Sequence, residues 1–195
     1  MKKIGGSMKK DIFKEIVFLL FIFLFFSMVG WIWELVFELI DAGLLANHGV
    51  LFGPWLPIYG TAGLLMYVLL NRYKKNPIIV FMGSFVFCTI IEYITSWYLE
   101  TFKNDLWWDY SELPFNINGR VSLITSSFFG LLGLLGIYVI IPKLRKVFDK
   151  IKIKKISIVV VSLFVIFIVD AIHSIDHPNH VVKYKISEIE LLDIF

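Results

Sequence analysis

Five apolar runs, each close to the length of a bilayer crossing, leave this chain very few folds to choose from. They cover residues 16–40, 50–70, 77–99, 121–141 and 156–172. About 20 helical residues cross the hydrocarbon core of a membrane. Inside that core the backbone must satisfy its own polar groups, so long uniform apolar runs predict helices. Composition agrees. Of the 195 residues 58% are hydrophobic and 18% charged, against about 45–50% and 25% in soluble domains. One globule of this size cannot bury that excess. The expected fold is all-α: a polytopic transmembrane helix bundle of about five spans, with the lipid bilayer as its first partner.

The runs differ in quality. The first carries Glu34 and Glu38 in its second half. The second has no ionised residue but contains Pro54 and Pro57. The third holds one charge, Glu92, and the fourth none. The fifth is short and ends on Asp170. The lysines before the first run resemble the start of a signal peptide. That run is too long for one, and it ends in Trp31, Trp33 and Glu34 rather than in small residues, so it reads as a retained span.

Basic residues orient the bundle. Five precede the first run (Lys2, Lys3, Lys9, Lys10, Lys14), three follow the second (Arg72, Lys74, Lys75), and seven follow the fourth (Lys143, Arg145, Lys146, Lys150, Lys152, Lys154, Lys155). The alternate segments hold only Lys103, Arg120, Lys183 and Lys185. Lys and Arg concentrate on the cytoplasmic side. Five spans therefore place the amino terminus in the cytoplasm and the carboxy terminus outside, in a bacterial cell membrane. The regularity is also the best support for the weak fifth span. The chain divides into a basic cytoplasmic segment (1–15), a four-span core (16–142), and a basic loop, fifth span and short outer tail (143–195).

Several chemistries are unsupported. The basic residues sit in short clusters beside apolar runs, which argues against nucleic acid. Cys88 is the only cysteine, so no intrachain disulfide forms. There is no G-x-x-x-x-G-K-[ST], H-E-x-x-H or G-x-S-x-G, and no cofactor is expected. His173, His177 and His180 with Asp170 and Asp176 have a metal-like spacing, but Pro178 interrupts the helix that would align them, and no metal site is expected.

Ionisable residues inside a span cost roughly 2.5–3.5 kcal/mol on insertion scales unless they face protein or water. Glu34, Glu38 and Glu92 are accordingly the most informative positions. Ser27, Gly30, Trp31, Glu34, Glu38 and Asp41 share one helical face, and Cys88, Glu92, Thr95 and Ser96 share another. Ser122, Ser126, Gly130 and Gly133 form a small-residue stripe suited to close helix approach, within the chain or in a homo-oligomer. The topology puts the acids in the outer half of the membrane, where Arg120 is a counter-charge. Two readings stand: an outward-facing polar pocket of Glu34, Glu92 and Arg120, or a structural ion pair. Glu38, nearer the interface, is expected to reach water. The segment 47–60, with Pro54, Pro57 and three glycines, predicts non-helical backbone. It is either an unwound stretch beside the pocket or a loop that enters its helix late, near Pro57. Trp107, Trp108 and Tyr110 suit an interfacial aromatic belt.

Taken together, Gly30-Trp31-x-Trp33-Glu34, Asn47-x-Gly49-x-Leu51-x-Gly53-Pro54-x-x-Pro57-Ile58-Tyr59-Gly60, Glu92-Tyr93, Trp107-Trp108-Asp109-Tyr110 and Asn116-x-Asn118-Gly119-Arg120-x-Ser122-Leu123 resemble the bacterial family named putative ABC-transporter type IV, the CmpB-like permeases. The resemblance covers residues 15–142 and leaves out the fifth span and tail. His48 departs from a family pattern that often has a permanent positive charge there. The resemblance implies a transport permease working with a separate ATP-hydrolysing subunit, although no coupling helix for one is recognisable. The expected substrate site comprises Glu34, Glu92, Asn118 and Arg120, with Asn47, Trp108 and Asp109, roofed by the 107–110 loop. The rivals are a membrane enzyme acting on a lipid or envelope intermediate, with Glu34 or Glu92 as general acid or base, and a non-transporting assembly or sensory protein.

Overall fold

The computed structural model describes residues 2–46, 49–179 and 183–185, with side chains described for 9–40, 43 and 49–179. The described residues are mostly helical. In order, the elements are α1 (Lys2–Ala42), β1 (Leu44–Ala46), α2 (Pro57–Leu65), α3 (Pro77–Tyr98), β2 (Asn116–Ile117), β3 (Val121–Ser122), α4 (Leu123–Leu135), α5 (Ile141–Lys150), α6 (Ile153–Asp176) and β4 (Lys183–Lys185). A π-helical turn, Met66–Leu70, and a 3-10 turn, Asn71–Tyr73, continue α2. Further π-helical turns extend α3 (Leu99–Lys103) and join α4 to α5 (Gly136–Ile140).

Four helices among the described residues are long and apolar enough to cross a membrane: Lys9–Ile40, Pro77–Lys103, Leu123–Lys150 and Ile153–Asp176. The run expected to be weakest, 156–172, thus lies in a helix of full crossing length. The run at 50–70 is the one that falls short. Its helix starts only at Pro57, because proline lacks the N–H needed further inside a helix but fits the first turn.

The burial pattern is inverted relative to a water-soluble bundle. On α3 the buried residues are Val80, Ser84, Cys88, Glu92 and Ser96, whereas Ile78, Ile79, Met82, Val86, Ile90 and Ile94 are exposed. On α4, Ser126, Gly130 and Gly133 are buried while Leu123, Ile124, Phe128, Leu131 and Leu135 face outward. Ser27 on α1 is fully buried, with Ile32, Val36, Phe37 and Ile40 exposed. Water would reverse that arrangement; lipid explains it, because apolar side chains gain nothing by leaving hydrocarbon and small residues let helices approach.

The chain divides into two compact units, residues 1–60 with 152–195, and residues 61–151. In the first, α1 packs on α6. Phe23 meets Phe167 and Phe164 with ring centroids 5.1 and 6.0 Å apart, and Trp55 stands edge-on to Phe167 at 5.9 Å. β1 pairs antiparallel with β4, Leu45 opposite Tyr184.

In the second unit α3 and α4 form an antiparallel hairpin, their main contact. Asn76 caps α3 by accepting from the N–H groups of Ile78 and Ile79 at 3.1 and 3.4 Å, and Pro77 occupies the first turn. α4 begins with a reciprocal cap: Ser122 Oγ accepts the Thr125 N–H at 3.2 Å, and Thr125 Oγ1 accepts the Ser122 N–H at 3.1 Å. The Thr89 hydroxyl donates to Ser126 Oγ at 2.7 Å. A Cβ at Gly133 would overlap the Ser84 side chain, which is why that position is glycine. These pairings advance along one helix as they retreat along the other, and so fix the register.

Candidate functional site

The loop between α3 and α4 folds back on the end of its own hairpin. The two-residue strands β2 and β3 pair with Ile117 opposite Val121, and Asn118 and Gly119 both take positive φ, 54° and 67°. A turn with two positive-φ residues is the form that joins twisted strands, and Asn-Gly is its preferred sequence. Gly119 has a second reason. A Cβ there would lie 2.6 Å from both Asp109 Oδ1 and Ser111 Oγ. Around this turn the Trp108 indole N–H donates to the Arg120 carbonyl at 3.0 Å, the Tyr110 N–H to the Gly119 carbonyl at 2.7 Å, and the Asn116 amide to the Leu113 and Ser111 carbonyls at 2.8 and 3.0 Å. Asp109 Oδ1 accepts from the Ser111 hydroxyl and N–H at 2.5 and 2.9 Å, and those bonds hold its carboxyl below the ordinary pKa range.

Three side chains connect this loop to α3. The Tyr110 hydroxyl donates to Glu92 Oε1 at 3.0 Å. The Asn118 amide donates to the Tyr93 hydroxyl at 2.8 Å. Arg120 lies over the Tyr93 ring, 5.4 Å from its centroid, and its Nη2 is 2.5 Å from Glu100 Oε2. The hydrogen bond that the guanidinium donates to that carboxylate pushes it above its already high pKa. Two buried polar atoms here have no hydrogen-bond partner among the described residues, Glu92 Oε2 and Arg120 Nε. A carboxyl and a guanidinium thus each keep one buried, unused hydrogen-bonding atom where this loop meets α3.

Five of the seven expected site residues therefore meet in one unit: Glu92, Asn118, Arg120, Trp108 and Asp109. Trp108 and Asp109 act in the loop itself, and the ion pair of Arg120 goes to Glu100. Glu34 belongs to the other unit. There it accepts a short hydrogen bond from the Tyr59 hydroxyl, and the Tyr59 ring packs so closely on Gly30 that a Cβ would overlap it. Asn47, like His48 and His180, lies outside the described residues.

The sequence reading did not assign Tyr59, Tyr93, Tyr110, Glu100 or Asp170 to any of these contacts. The three tyrosines stood inside the quoted motifs, so a signal existed. Asp170 had been read as the end of a weak span and as one member of a metal-like spacing. Its carboxylate accepts the N–H groups of Phe52 and Gly53 at 3.0 and 2.8 Å and the Trp55 indole N–H at 2.7 Å, with the Ser174 hydroxyl at 3.3 Å. The Leu56 N–H reaches the Ser27 carbonyl at 3.0 Å, and the Asn179 N–H reaches the Val50 carbonyl at 2.9 Å. The non-helical backbone forced by Pro54 and Pro57 thus finds its partners on α1, on α6 and in the segment after α6. His173 lies against Phe52, 5.5 Å between ring centroids. Among the described residues no group of three or more His, Cys, Asp or Glu side chains converges to hold a metal.

No curated protein and no solved structure matches the chain. A family model matches residues 21–175, which takes in α6 and so extends past the 15–142 expected from the motifs. With Asp170 binding the Phe52 and Gly53 N–H groups and the Trp55 indole, α6 is part of what holds the proline-containing loop in place. The chain belongs to the family described as putative ABC-transporter type IV.

Proposed function

We propose that this protein is the membrane-spanning permease of a bacterial transporter, that it crosses the cell membrane five times with its amino terminus inside, and that a separate ATP-hydrolysing subunit drives it. The observation that carries the reading is the inverted burial of its helices, with Ser84, Cys88, Glu92 and Ser96 turned inward along one face of α3 and aliphatic side chains outward. Polar groups retained inside a membrane helix are costly and ordinarily serve a transported solute, a coupled ion or a partner. The family match supports transport, and the absence of a P-loop in this sequence assigns hydrolysis to another chain.

The fifth crossing is α2 with its continuation through Tyr73. It keeps Arg72, Lys74 and Lys75 on the same side as the amino-terminal and 143–155 lysines. The polar centre that meets substrate is then outward-facing, with Glu92, Asn118 and Arg120 as its binding groups and Trp108 and Asp109 holding the loop above it. Glu34, which accepts from the Tyr59 hydroxyl, is a second acidic position within a span.

Purification of the tagged protein from its native membrane in mild detergent, with mass spectrometry of what accompanies it, tests the reading. A P-loop ATPase in stoichiometric amount is expected. A monodisperse preparation lacking one, repeated after chemical crosslinking in intact cells, would overturn the ATP-driven permease.

A further inference from the structure

The second unit has a polarised, basic end that the transport reading uses only to orient the chain. The Tyr138 hydroxyl donates to the Lys74 carbonyl at 2.6 Å. That bond joins the turn before α3 to the π-helical turn between α4 and α5, and so brings two basic segments about 64 positions apart onto one surface. The first contributes Arg72, Lys74 and Lys75, all exposed. The second is α5, which is two-faced. Ile141 and Phe148 are buried, with Leu144 and Arg145 half-buried beside them; Lys143, Lys146, Val147 and Lys150 form the opposite, exposed face. The acid of α5, Asp149, lies 3.4 Å from Arg145, and among the described residues no ion pair engages Lys143, Lys146 or Lys150.

We propose that this end of the unit is a binding surface for anionic phospholipid headgroups. Its depth fits. Leu123–Lys150 is one helix of 28 residues, about 42 Å long at 1.5 Å per residue, against about 30 Å of hydrocarbon. Its last turns therefore stand at headgroup level. Its mixed chemistry also fits. Val147, Ile151 and Tyr73 are exposed among the cations at 54%, 42% and 40%. Basic residues interleaved with apolar and aromatic ones match a membrane interface, where stems lie in acyl chains and charges meet phosphate. A purely electrostatic contact with an acidic protein would leave those apolar groups in water. The surface is independent of the orientation proposed above, because both leaflets present phosphate.

Each lysine near an anionic membrane surface contributes about 1 kcal/mol, about fivefold in affinity. The test is native mass spectrometry of the full-length protein in neutral detergent, titrated with phosphatidylglycerol or with phosphatidylcholine of the same acyl chains. Phosphatidylglycerol should bind at least tenfold more tightly, and the preference should fall as salt rises. K74Q/K143Q/K146Q/K150Q should lose most of it, while K103Q, at the opposite end of the hairpin, keeps it. Equal affinity for the two lipids overturns the proposal, and so does a salt-independent preference or one unchanged in the quadruple variant. Retention of an acidic protein without lipid preference overturns it in favour of a protein partner. The wild-type salt titration decides the matter even where the quadruple variant does not fold.

Discussion

The Tyr110 hydroxyl holds one oxygen of Glu92, 18 residues earlier, at 3.0 Å, while the other oxygen of that buried carboxyl has no partner among the described residues. An interfacial loop is thereby tied to an acid inside a membrane helix. Loss of the phenol leaves the carboxyl with neither oxygen bonded to the protein. Tyr110→Phe should lower stability by about 1–3 kcal/mol, the usual cost of stranding a buried polar group. Glu92→Gln, which keeps an acceptor for Tyr110, should cost less in stability yet abolish function. Thermal unfolding in detergent beside a transport or growth assay separates the two. A Glu92→Gln protein that is depleted as strongly as it is inactive points to a purely structural acid.

Asp170 is the acceptor for three donors of the 52–55 segment. Asp170→Ala should strand the Phe52 and Gly53 N–H groups and the Trp55 indole together, for a loss on the order of 3 kcal/mol or more. Trp55→Phe removes one donor but leaves the carboxylate both of its backbone partners, and should be milder. Limited proteolysis within 49–56 reads this out. Cleavage in the Asp170→Ala protein no faster than in wild type would contradict the role given to the carboxylate.

How much of this was legible beforehand follows from the kind of signal each residue carries. Hydropathy and helical spacing exposed the buried stripes of α3 and α4 and the informative acids Glu34 and Glu92, because a membrane helix has a periodic reason to keep polar residues on one face. The Asn118-Gly119 turn was visible as part of a motif. What could not be read was pairing at a distance. Asp170 reaches Gly53 across 117 positions, and nothing local to either residue announces it. Glu100 was hidden for another reason: it sits just beyond α3, where a carboxylate in water is unremarkable until Arg120 comes against it. The short strands β1 and β4 also lay outside an all-helical expectation, since three-residue pairings leave no hydropathy period.

Gly133 and Ser84 set how closely α3 and α4 approach. Gly133→Ala forces the added methyl into the serine and should destabilise by about 1–3 kcal/mol. Ser84→Gly in the same chain should restore part of that loss. Two independent, additive effects in a double-mutant cycle would mean that the two positions are not in contact.

The loop should be acid-sensitive in a defined direction. The Ser111 bonds depress Asp109 below its ordinary value of 3.8. Their contribution is complete above that value and is lost as pH falls through the lower, folded one. Emission from Trp107 and Trp108 should therefore report loop loosening only on strong acidification. Ser111→Ala should move that transition toward higher pH. An unchanged midpoint would mean that Asp109 owes nothing to Ser111.

Sided accessibility tests the five-span, outward-facing arrangement most directly. With Cys88 replaced by serine, single cysteines are placed at Lys74, Asp109, Lys150 and Asn179, and intact cells are treated with a membrane-impermeant maleimide. The account predicts labelling at 109 and 179 in intact cells, and at 74 and 150 only after permeabilisation. Labelling of 74 or 150 from outside, or protection of 109, would contradict it.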